Sequence, residues 1–275
     1  MKGSIHQLVT PDGSDQVTPS PEASRKKVKK VQAILNFSSS LVSSQTKTCK
    51  ICGMAYYEHI NKEVEIHKKY HLTFINGILW PDTFKCKKVK SFAIIQKSTT
   101  KLRKSNTIQL EIVTIDKTNK RQTNKVDQLL DLVNKELNAP EDTKYWRDPL
   151  KESSKAFVVI IDDRAVGLCT TDTIEDIELQ GRWMIHSSQS IVPNQVNKNI
   201  KLGISRIWIA PKWRRLGIAK VLLEIVQSQS IYGVVLNKAQ IAFSQPSHSG
   251  GLLAKEFNGV IHKSGELLVP VYLEL

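Results

Sequence analysis

The amino-acid sequence predicts an α+β fold, and two patterns in it support this class. Short apolar runs with the length and composition of β-strands recur along the chain, and several of them precede the strongest helical pattern. Two other segments repeat apolar residues every three or four positions, which is the period of an amphipathic helix. Strands and helices are therefore mixed along the chain.

Eight segments have the features of strands. They are 91–96, 107–115, 156–161, 165–171, 183–186, 203–209, 239–243 and 269–273. The strands 156–161 and 165–171 flank Asp162-Asp163-Arg164. Because aspartate suits a tight turn, this pair is predicted to form a β-hairpin.

Two helices are predicted from the spacing of apolar residues. The first places Val126, Leu129, Leu130, Val133 and Leu137 on one face, and the second does the same with Ile218, Val221, Leu222, Ile225 and Val226. A weaker helical pattern covers 251–257.

Length and composition exclude several classes of protein. The chain has 275 residues, of which 40% are hydrophobic, enough to bury a core. Its longest aliphatic or aromatic runs are about five residues, whereas a membrane-spanning helix needs about 20, so we expect no membrane span. The first 15 residues contain no apolar stretch, which argues against a secretory signal. Four cysteines in a chain of this length do not form a disulfide scaffold.

The net charge of +14 is confined to one part of the chain. The first 125 residues contain 23 lysines and arginines and nine acidic residues, an excess of 14, while the remainder contains 17 of each. Such a basic region predicts contact with a polyanion such as DNA, chromatin or an acidic protein. The alternative is a solvated basic tail that only keeps the chain soluble.

Composition divides the chain into three parts. Residues 1–24 are rich in Ser, Thr, Pro, Asp and Gln and are expected to be disordered. The run Arg25-Lys26-Lys27-Val28-Lys29-Lys30 follows, and it is typical of nuclear localisation or nucleic-acid contact. We predict a disordered basic tail over 1–45, a Cys/His module over 46–80 and a larger α+β domain over 81–275.

A cluster of cysteines and histidines predicts a structural zinc site. Cys49 and Cys52 form a CxxC turn, while His67 and His71 are four residues apart and would share one helix face. Together they provide the four tetrahedral ligands that Zn²⁺ prefers. The alternative is a thiol pair beside two surface histidines. Two glutamates on the predicted helix would face phosphates poorly, so we expect a structural or docking role for the module.

The pattern Arg214-x-x-Gly217-x-Ala219 predicts a phosphate-binding loop. It lies between a predicted strand and the N-terminus of the second amphipathic helix. Small residues let the backbone approach a diphosphate, and the free amides of a helix N-terminus bind it. Arg214 and Arg215 add positive charge. The alternative is an ordinary helix N-terminus that follows a basic loop.

This loop resembles the phosphate cradle of the GNAT acetyltransferases, and the chain resembles the sister-chromatid cohesion establishment N-acetyltransferases of fungal type. Members of that family carry a two-Cys two-His finger ahead of a GNAT domain. The resemblance is carried by Cys49-Lys50-Ile51-Cys52-Gly53-Met54-Ala55-Tyr56 with His67 and His71, Gly203-Ile204-Ser205-Arg206-Ile207-Trp208, Ile231-Tyr232-Gly233, Ile241-Ala242-Phe243-Ser244-Gln245-Pro246 and Phe257-Asn258-Gly259. It covers about 49–80 and 203–275 and is loose between them.

The resemblance implies a nuclear enzyme that transfers an acetyl group from acetyl-CoA to lysines of the cohesin head. It also implies a GNAT fold, a mixed and mostly antiparallel sheet with flanking helices. The implied acetyl-CoA contacts are Ile207, Trp208, Ile209, Arg214, Arg215, Leu216, Gly217, Ile218, Ala219 and Lys220, with Ser247, His248 and Ser249 closing over the cofactor.

The same resemblance implies that Glu224 is the general base and that Ser205 orients the substrate or the base. A lysine ammonium, with a pKa of about 10.4, must lose a proton before it attacks a thioester. On sequence alone, Glu224 could equally be a solvated helix residue and Ser205 an ordinary strand serine. Animal members have Asp where this chain has Gln245, an amide that cannot accept that proton. If that Asp takes part in catalysis in animal members, either its work falls to Glu224 in this chain or Gln245 only orients the lysine.

The tail contains one further motif. Gln32-Ala33-Ile34-Leu35 resembles the start of the peptide that binds the sliding clamp PCNA, although serines stand where that peptide ends in two aromatic residues. The alternative is a short amphipathic segment. For the whole chain, two other functions stay open: a catalytically inactive zinc-finger module that binds chromatin, and a GNAT enzyme that acts on other nuclear proteins such as histones.

Overall fold

The computed structural model describes residues 46–96, 106–139 and 145–274. Ser44–Leu275 form one compact unit, which contains both the Cys/His module and the α+β domain. The predicted disordered tail, with its basic run and clamp motif, lies outside the described residues. Among the described residues, no helix combines the length and the apolar composition that crossing a membrane requires.

The described part of the chain contains five α-helices and 13 strands. The helices are α1 (Asn61–Asn76), α2 (Lys120–Leu137), α3 (Ile177–Gln180), α4 (Ile218–Gln229) and α5 (His248–Asn258). The strands are β1 (Lys47–Thr48), β2 (Ala55–Tyr56), β3 (Ile78–Leu79), β4 (Lys87–Gln96), β5 (Asn106–Thr114), β6 (Ala156–Ile161), β7 (Arg164–Thr173), β8 (Gly181–Ile185), β9 (Ile191–Val196), β10 (Leu202–Ile209), β11 (Ile241–Phe243), β12 (Val260–Ile261) and β13 (Leu267–Tyr272).

Eleven of these strands form one sheet, and nine of them lie in the order β4-β5-β6-β7-β10-β11-β13-β8-β9. β3 pairs with β7 and β12 pairs with β13, while β1 and β2 form a separate hairpin. The pairs β10–β11 and β11–β13 are parallel, and the other described pairs are antiparallel. The expected mixed, mostly antiparallel sheet is therefore confirmed, and α4 is the crossover between the parallel strands β10 and β11.

Both predicted amphipathic helices are confirmed. Helix α2 begins after Asn119, whose side chain accepts hydrogen bonds from two first-turn amides, and ends at Asn138, which has a left-handed φ of 48°. The buried residues on the faces of the two helices include Val126, Leu129, Leu130 and Val133 of α2 and Ile218, Leu222, Leu223, Ile225 and Val226 of α4. Each such side chain contributes about 1.5–3 kcal/mol through burial.

All eight predicted strands are present, but some boundaries differ for local reasons. The strand predicted over 239–243 begins at Ile241, because Asn237 and Gln240 form a capping box around a 3-10 turn. β9 was not predicted, since it is mostly exposed and contains Pro193, both features of an edge strand. The helix predicted over 251–257 begins earlier as α5, because Ser247 caps its N-terminus.

The Cys/His module packs against the larger domain. Cys52 and Phe74 belong to the same buried core as the strands of the large sheet. Helix α1 contacts the 3-10 turn Pro211–Trp213 that follows β10, and Lys212 Nζ lies 3.5 Å from Asn76 Oδ1. The module therefore lies beside the loop predicted to bind phosphate.

Candidate active site and metal centre

The four predicted metal ligands come together. The ligand atoms of Cys49, Cys52, His67 and His71 all lie within 4.8 Å of one another. The turn between β1 and β2 supplies the cysteines, and α1 supplies the histidines. Gly53, with a φ of 70°, closes the CxxC turn by donating its amide hydrogen to the Cys49 carbonyl at 2.9 Å.

This donor set fits zinc. His67 Nε2 is buried and has no hydrogen-bond partner in the described part of the chain, as expected for a nitrogen that binds a metal. The ring of Tyr56 stacks on His67 at 4.1 Å and helps to orient it. Hydrogen bonds from the backbone of Cys52 and Ile51 lower the pKa of the Cys49 thiol to about 6, which favours the thiolate that zinc binds. Burial raises the pKa of Cys52, an effect that a bound cation would oppose.

Strands β10 and β11 diverge at Ser205. They pair in parallel only up to Ile204, which lies opposite Phe243, and the last bond runs from the Ser244 amide to the Ile204 carbonyl at 2.9 Å. A β-bulge separates Ile204 from Arg206, and beyond it β10 pairs with β7 alone among the described strands. We call the opening beside residues 205–209 of β10 the strand gap.

Two backbone amides of β10 point into the strand gap. The amide of Ala210 donates to the Val166 carbonyl of β7 at 2.7 Å. Because alternate residues of a strand direct their backbone groups to opposite sides, the amides of Ile209 and Ile207 point away from β7. This is the stretch to which the sequence resemblance assigns Ile207, Trp208 and Ile209 as acetyl-CoA contacts.

The predicted phosphate loop is the turn into α4. Gly217 precedes the helix with a left-handed φ of 79°, and Arg215 also has a positive φ of 64°. No side chain in the described part of the chain caps this N-terminus, so first-turn amides are available to an anion. A Cβ at Gly217 would meet no atom within 4 Å, which leaves room for a phosphate group.

Helix α2 holds the phosphate loop in place. Arg214 donates from Nη2 to Glu136 Oε1 at 2.5 Å and from Nε to a backbone carbonyl of β10 at 2.7 Å. Trp208 donates from Nε1 to the other carboxylate oxygen of Glu136. Arg214 is thus engaged by the protein itself, whereas Arg215 and Lys220 are exposed beside Gly217.

The described contacts do not join the two predicted catalytic residues. Ser205 Oγ lies 2.8 Å from Thr170 Oγ1 of β7, at the start of the strand gap. Glu224 is exposed on α4, and its Oε2 lies 3.8 Å from Lys90 Nζ of β4. The structure therefore places Ser205 at the gap and Glu224 on the exposed side of α4 that faces β4.

The segment after β11 begins where the strand gap opens. Gln245 is exposed in the loop that follows the strand. Ser247, His248 and Ser249 are exposed at the N-terminus of α5, where Ser247 Oγ accepts a hydrogen bond from the Gly250 amide at 3.3 Å. Because β11 leaves β10 after the Ser244–Ile204 bond, we infer that these residues form the opposite rim of the gap.

Sequence reasoning did not single out several polar groups near the strand gap. Besides Glu136, they are the buried Arg206 and the pair Asp172–Tyr272, in which the tyrosine hydroxyl donates to Asp172 Oδ2 at 2.7 Å. Burial and the neighbouring Asp172 raise the pKa of Tyr272 well above its usual range. A Cβ on Gly203 would lie 2.6 Å from the Tyr272 ring. A glycine inside an apolar strand was the available sequence signal for this close approach.

Comparison with known proteins decides the family. A family model described as the ESCO1/2 acetyl-transferase matches residues 198–264, and one described as the zinc-finger of acetyl-transferase ESCO matches residues 32–72. The N-acetyltransferase ECO1 of Debaryomyces hansenii is 51% identical over 288 aligned positions that span both chains completely. The chain belongs to the ESCO/Eco1 acetyltransferase family.

Further relatives of this ESCO-family chain cover most of its length. The N-acetyltransferase ECO1 of Saccharomyces cerevisiae is 33% identical over 88% of this chain and 94% of its own. A solved structure of the xEco2 acetyltransferase domain, bound to a CoA conjugate, is 22% identical over 60% of this chain and 92% of its own, with a TM-score of 0.47. Family membership confirms the prediction of an acetyltransferase with a two-Cys two-His zinc finger.

Proposed function

We propose that this ESCO-family acetyltransferase moves an acetyl group from acetyl-CoA to lysines of the cohesin head and so establishes sister-chromatid cohesion during DNA replication. The observation that carries the proposal is the continuity between the strand gap and the phosphate loop. The free edge of β10 leads through Pro211–Trp213 to Gly217 at the N-terminus of α4. An elongated donor with amide groups and a diphosphate suits this path, since strand edges bind amides and helix N-termini bind phosphates.

Donor binding is assigned to three parts of the site. The amides of Ile207 and Ile209 pair with the pantetheine arm as an added strand would. The first turn of α4 binds the diphosphate, and the exposed Arg215 and Lys220 neutralise its charge. The residues of the opposite rim, Ser247, His248 and Ser249, close over the donor.

Deprotonation of the acceptor lysine is assigned to Glu224. The amine attacks the thioester carbonyl, the carbon–sulfur bond breaks, and the CoA thiolate leaves and takes up the second proton, which the nitrogen releases as the amide forms. Ser205, held by Thr170, would orient the acceptor at the strand gap. Because Glu224 pairs with Lys90 at 3.8 Å, the proton would reach it through water or after the acceptor lysine displaces Lys90.

The zinc site is assigned a structural role. Cys49, Cys52, His67 and His71 would hold Zn²⁺, whose bonds supply much of the folding energy of so small a module. In this arrangement the finger over 46–80 is fixed beside the phosphate loop of a GNAT domain over 81–275.

Mass spectrometry of purified cohesin heads, after incubation with the protein and acetyl-CoA, tests the substrate. We expect acetylated head lysines with the wild-type protein and much less acetylation, at limiting acetyl-CoA, with Gly217→Asp, which obstructs the phosphate loop. Histone octamers are incubated in parallel. Acetylation of histones without acetylation of heads would make the substrate proposal wrong. Modification of neither would favour the inactive chromatin-binding module.

The tail is assigned three roles, all on residues outside the described part of the chain. We propose that Arg25-Lys26-Lys27-Val28-Lys29-Lys30 directs the protein to the nucleus and contacts DNA, and that Gln32-Ala33-Ile34-Leu35 binds PCNA. Titration of a fluorescent peptide spanning residues 25–45 with PCNA tests the binding to PCNA. Saturable binding that Leu35→Ala abolishes is expected, and equal binding by both peptides would contradict it.

A further inference from the structure

A buried arginine lies next to Ser205. The side chain of Arg206 is only 7% exposed, although a guanidinium stays charged in proteins. A buried charge is costly unless its hydrogen bonds are made. Arg206 donates from Nε to Asn134 Oδ1 at 3.0 Å, and from Nη1 to the Ser205 carbonyl at 2.7 Å and to Glu274 Oε1 at 2.9 Å.

These three acceptors belong to three separate parts of the fold. Asn134 lies on α2, Ser205 lies in the bulge of β10, and Glu274 follows β13. A bulge leaves its extra residue outside the regular ladder, so the Ser205 carbonyl needs another partner. Arg206 supplies that partner at the point where β10 leaves β11.

The direction of the Ser205 side chain depends on the same bulge. Its hydroxyl contacts Thr170, which lies opposite Arg206 in the β10–β7 register. Strand side chains alternate between the two faces of a sheet, so a shift of one position would turn Ser205 to the other face. Arg206 therefore couples the orientation of Ser205 to α2 and to the C-terminal segment.

We propose that Arg206, held by Asn134 and Glu274, is a positioning residue for acetyl transfer that keeps Ser205 at the mouth of the strand gap. The proposal rests on the proposed function in taking this gap as the site of the reaction. Arg206 acts through Ser205, and Glu274 balances its buried charge. A lysine at this position keeps the charge but cannot bond three acceptors with the planar fork of a guanidinium.

Steady-state kinetics of Arg206→Lys and Glu274→Gln test the proposal, with Arg147→Lys as a matched control. Arg147 is a partly buried arginine that joins Asp127 to the Thr123 carbonyl, outside the strand gap. We expect kcat on cohesin heads to fall about 10- to 100-fold in Arg206→Lys and about tenfold in Glu274→Gln. Acetyl-CoA affinity should stay within about twofold of wild type in both, because the phosphate loop is unchanged.

Hydrogen exchange separates positioning from general stability. Amides of residues 203–209 should exchange faster in Arg206→Lys than in Arg147→Lys. Each variant is measured the same number of degrees below its own melting temperature, so that a difference in global stability does not contribute. The proposal is overturned if kcat is unchanged in Arg206→Lys or in Glu274→Gln. It is also overturned if kcat falls equally in the control Arg147→Lys. If wild-type protein does not acetylate cohesin heads, the proposed function fails, and hydrogen exchange alone then tests the positioning role of Arg206. Unchanged exchange over 203–209 in Arg206→Lys overturns that role, and faster exchange supports it.

Discussion

Gly217 is the residue on which the proposed donor binding depends most directly. Its left-handed φ and the open space around its missing Cβ suit the close approach of a phosphate. We expect Gly217→Asp to weaken acetyl-CoA binding by at least about tenfold, because the carboxylate would occupy that space and repel the diphosphate. Isothermal titration calorimetry measures the change.

Gly217→Asn is the matched control for charge. Asparagine has nearly the same size and also tolerates a left-handed φ, but it carries no charge. It should bind acetyl-CoA more tightly than the aspartate variant. Wild-type affinity in Gly217→Asp would remove the phosphate-loop assignment.

Glu224 tests the assignment of the general base. Glu224→Gln retains size and hydrogen bonding but loses basicity, so turnover should fall by roughly 10²–10⁴-fold with acetyl-CoA affinity nearly unchanged. The loss should shrink at higher pH, since hydroxide then shares the deprotonation. A pH–rate profile of both forms measures this.

Lys90→Gln is the control for the alternative that Glu224 matters only through its ion pair with Lys90. The exposed Lys90–Glu224 pair contributes only about 0–1 kcal/mol, so breaking it from the lysine side should leave turnover close to wild type. If both variants turn over at the wild-type rate at neutral pH, Glu224 is an ordinary surface residue. The proton would then have to leave by way of Ser205 and water.

At the scale of elements, the contact between α1 and Pro211–Trp213 links the finger to the phosphate loop. Cys52→Ser should release zinc, lower the melting temperature by several degrees and weaken acetyl-CoA binding. The binding loss is expected because Cys52 and Phe74 lie in the core that also supports β10. Metal analysis, thermal unfolding and calorimetry measure the three effects.

Cys86→Ser is the matched control for the finger prediction. Cys86 is a partly buried cysteine outside the Cys/His cluster. This variant should keep its zinc and its acetyl-CoA affinity. Full zinc content in a Cys52→Ser/His71→Ala double variant would contradict the ligand assignment.

At the scale of the whole molecule, the charge distribution makes a separate prediction. Replacing all five basic residues of Arg25-Lys26-Lys27-Val28-Lys29-Lys30 by glutamine should weaken DNA binding. The slope of the logarithm of the binding constant against the logarithm of the salt concentration should become shallower by up to about five. Acetyl-CoA affinity should not change, because the compact unit begins at Ser44. Fluorescence anisotropy on duplex DNA across a salt series tests this. An unchanged slope would assign DNA contact to another part of the chain or to none.

The predictable parts of the fold are those whose information is local. The spacing of apolar residues predicted α2, α4 and eight strands, because each pattern is confined to one element. A CxxC turn and two histidines one helical turn apart predicted the four candidate zinc ligands, and the structure brings their ligand atoms together. The polar strand β9 and the strand pairings at the sheet edges were not predicted, since an exposed edge strand has no apolar alternation to detect.

The amino-acid sequence indicates the chemical parts through residue types at short spacing: the candidate zinc ligands, the glycine of the predicted phosphate loop and the basic tail. The contacts that hold these parts in place join residues far apart in the sequence. Arg206 meets Glu274 across 68 residues, and Glu136 meets Arg214 across 78. The folded chain also brings Glu224 close to Lys90 and separates β10 from β11 at Ser205. Such contacts depend on strand order and on the bulge, which arise from packing of the whole chain, and no local pattern specifies them.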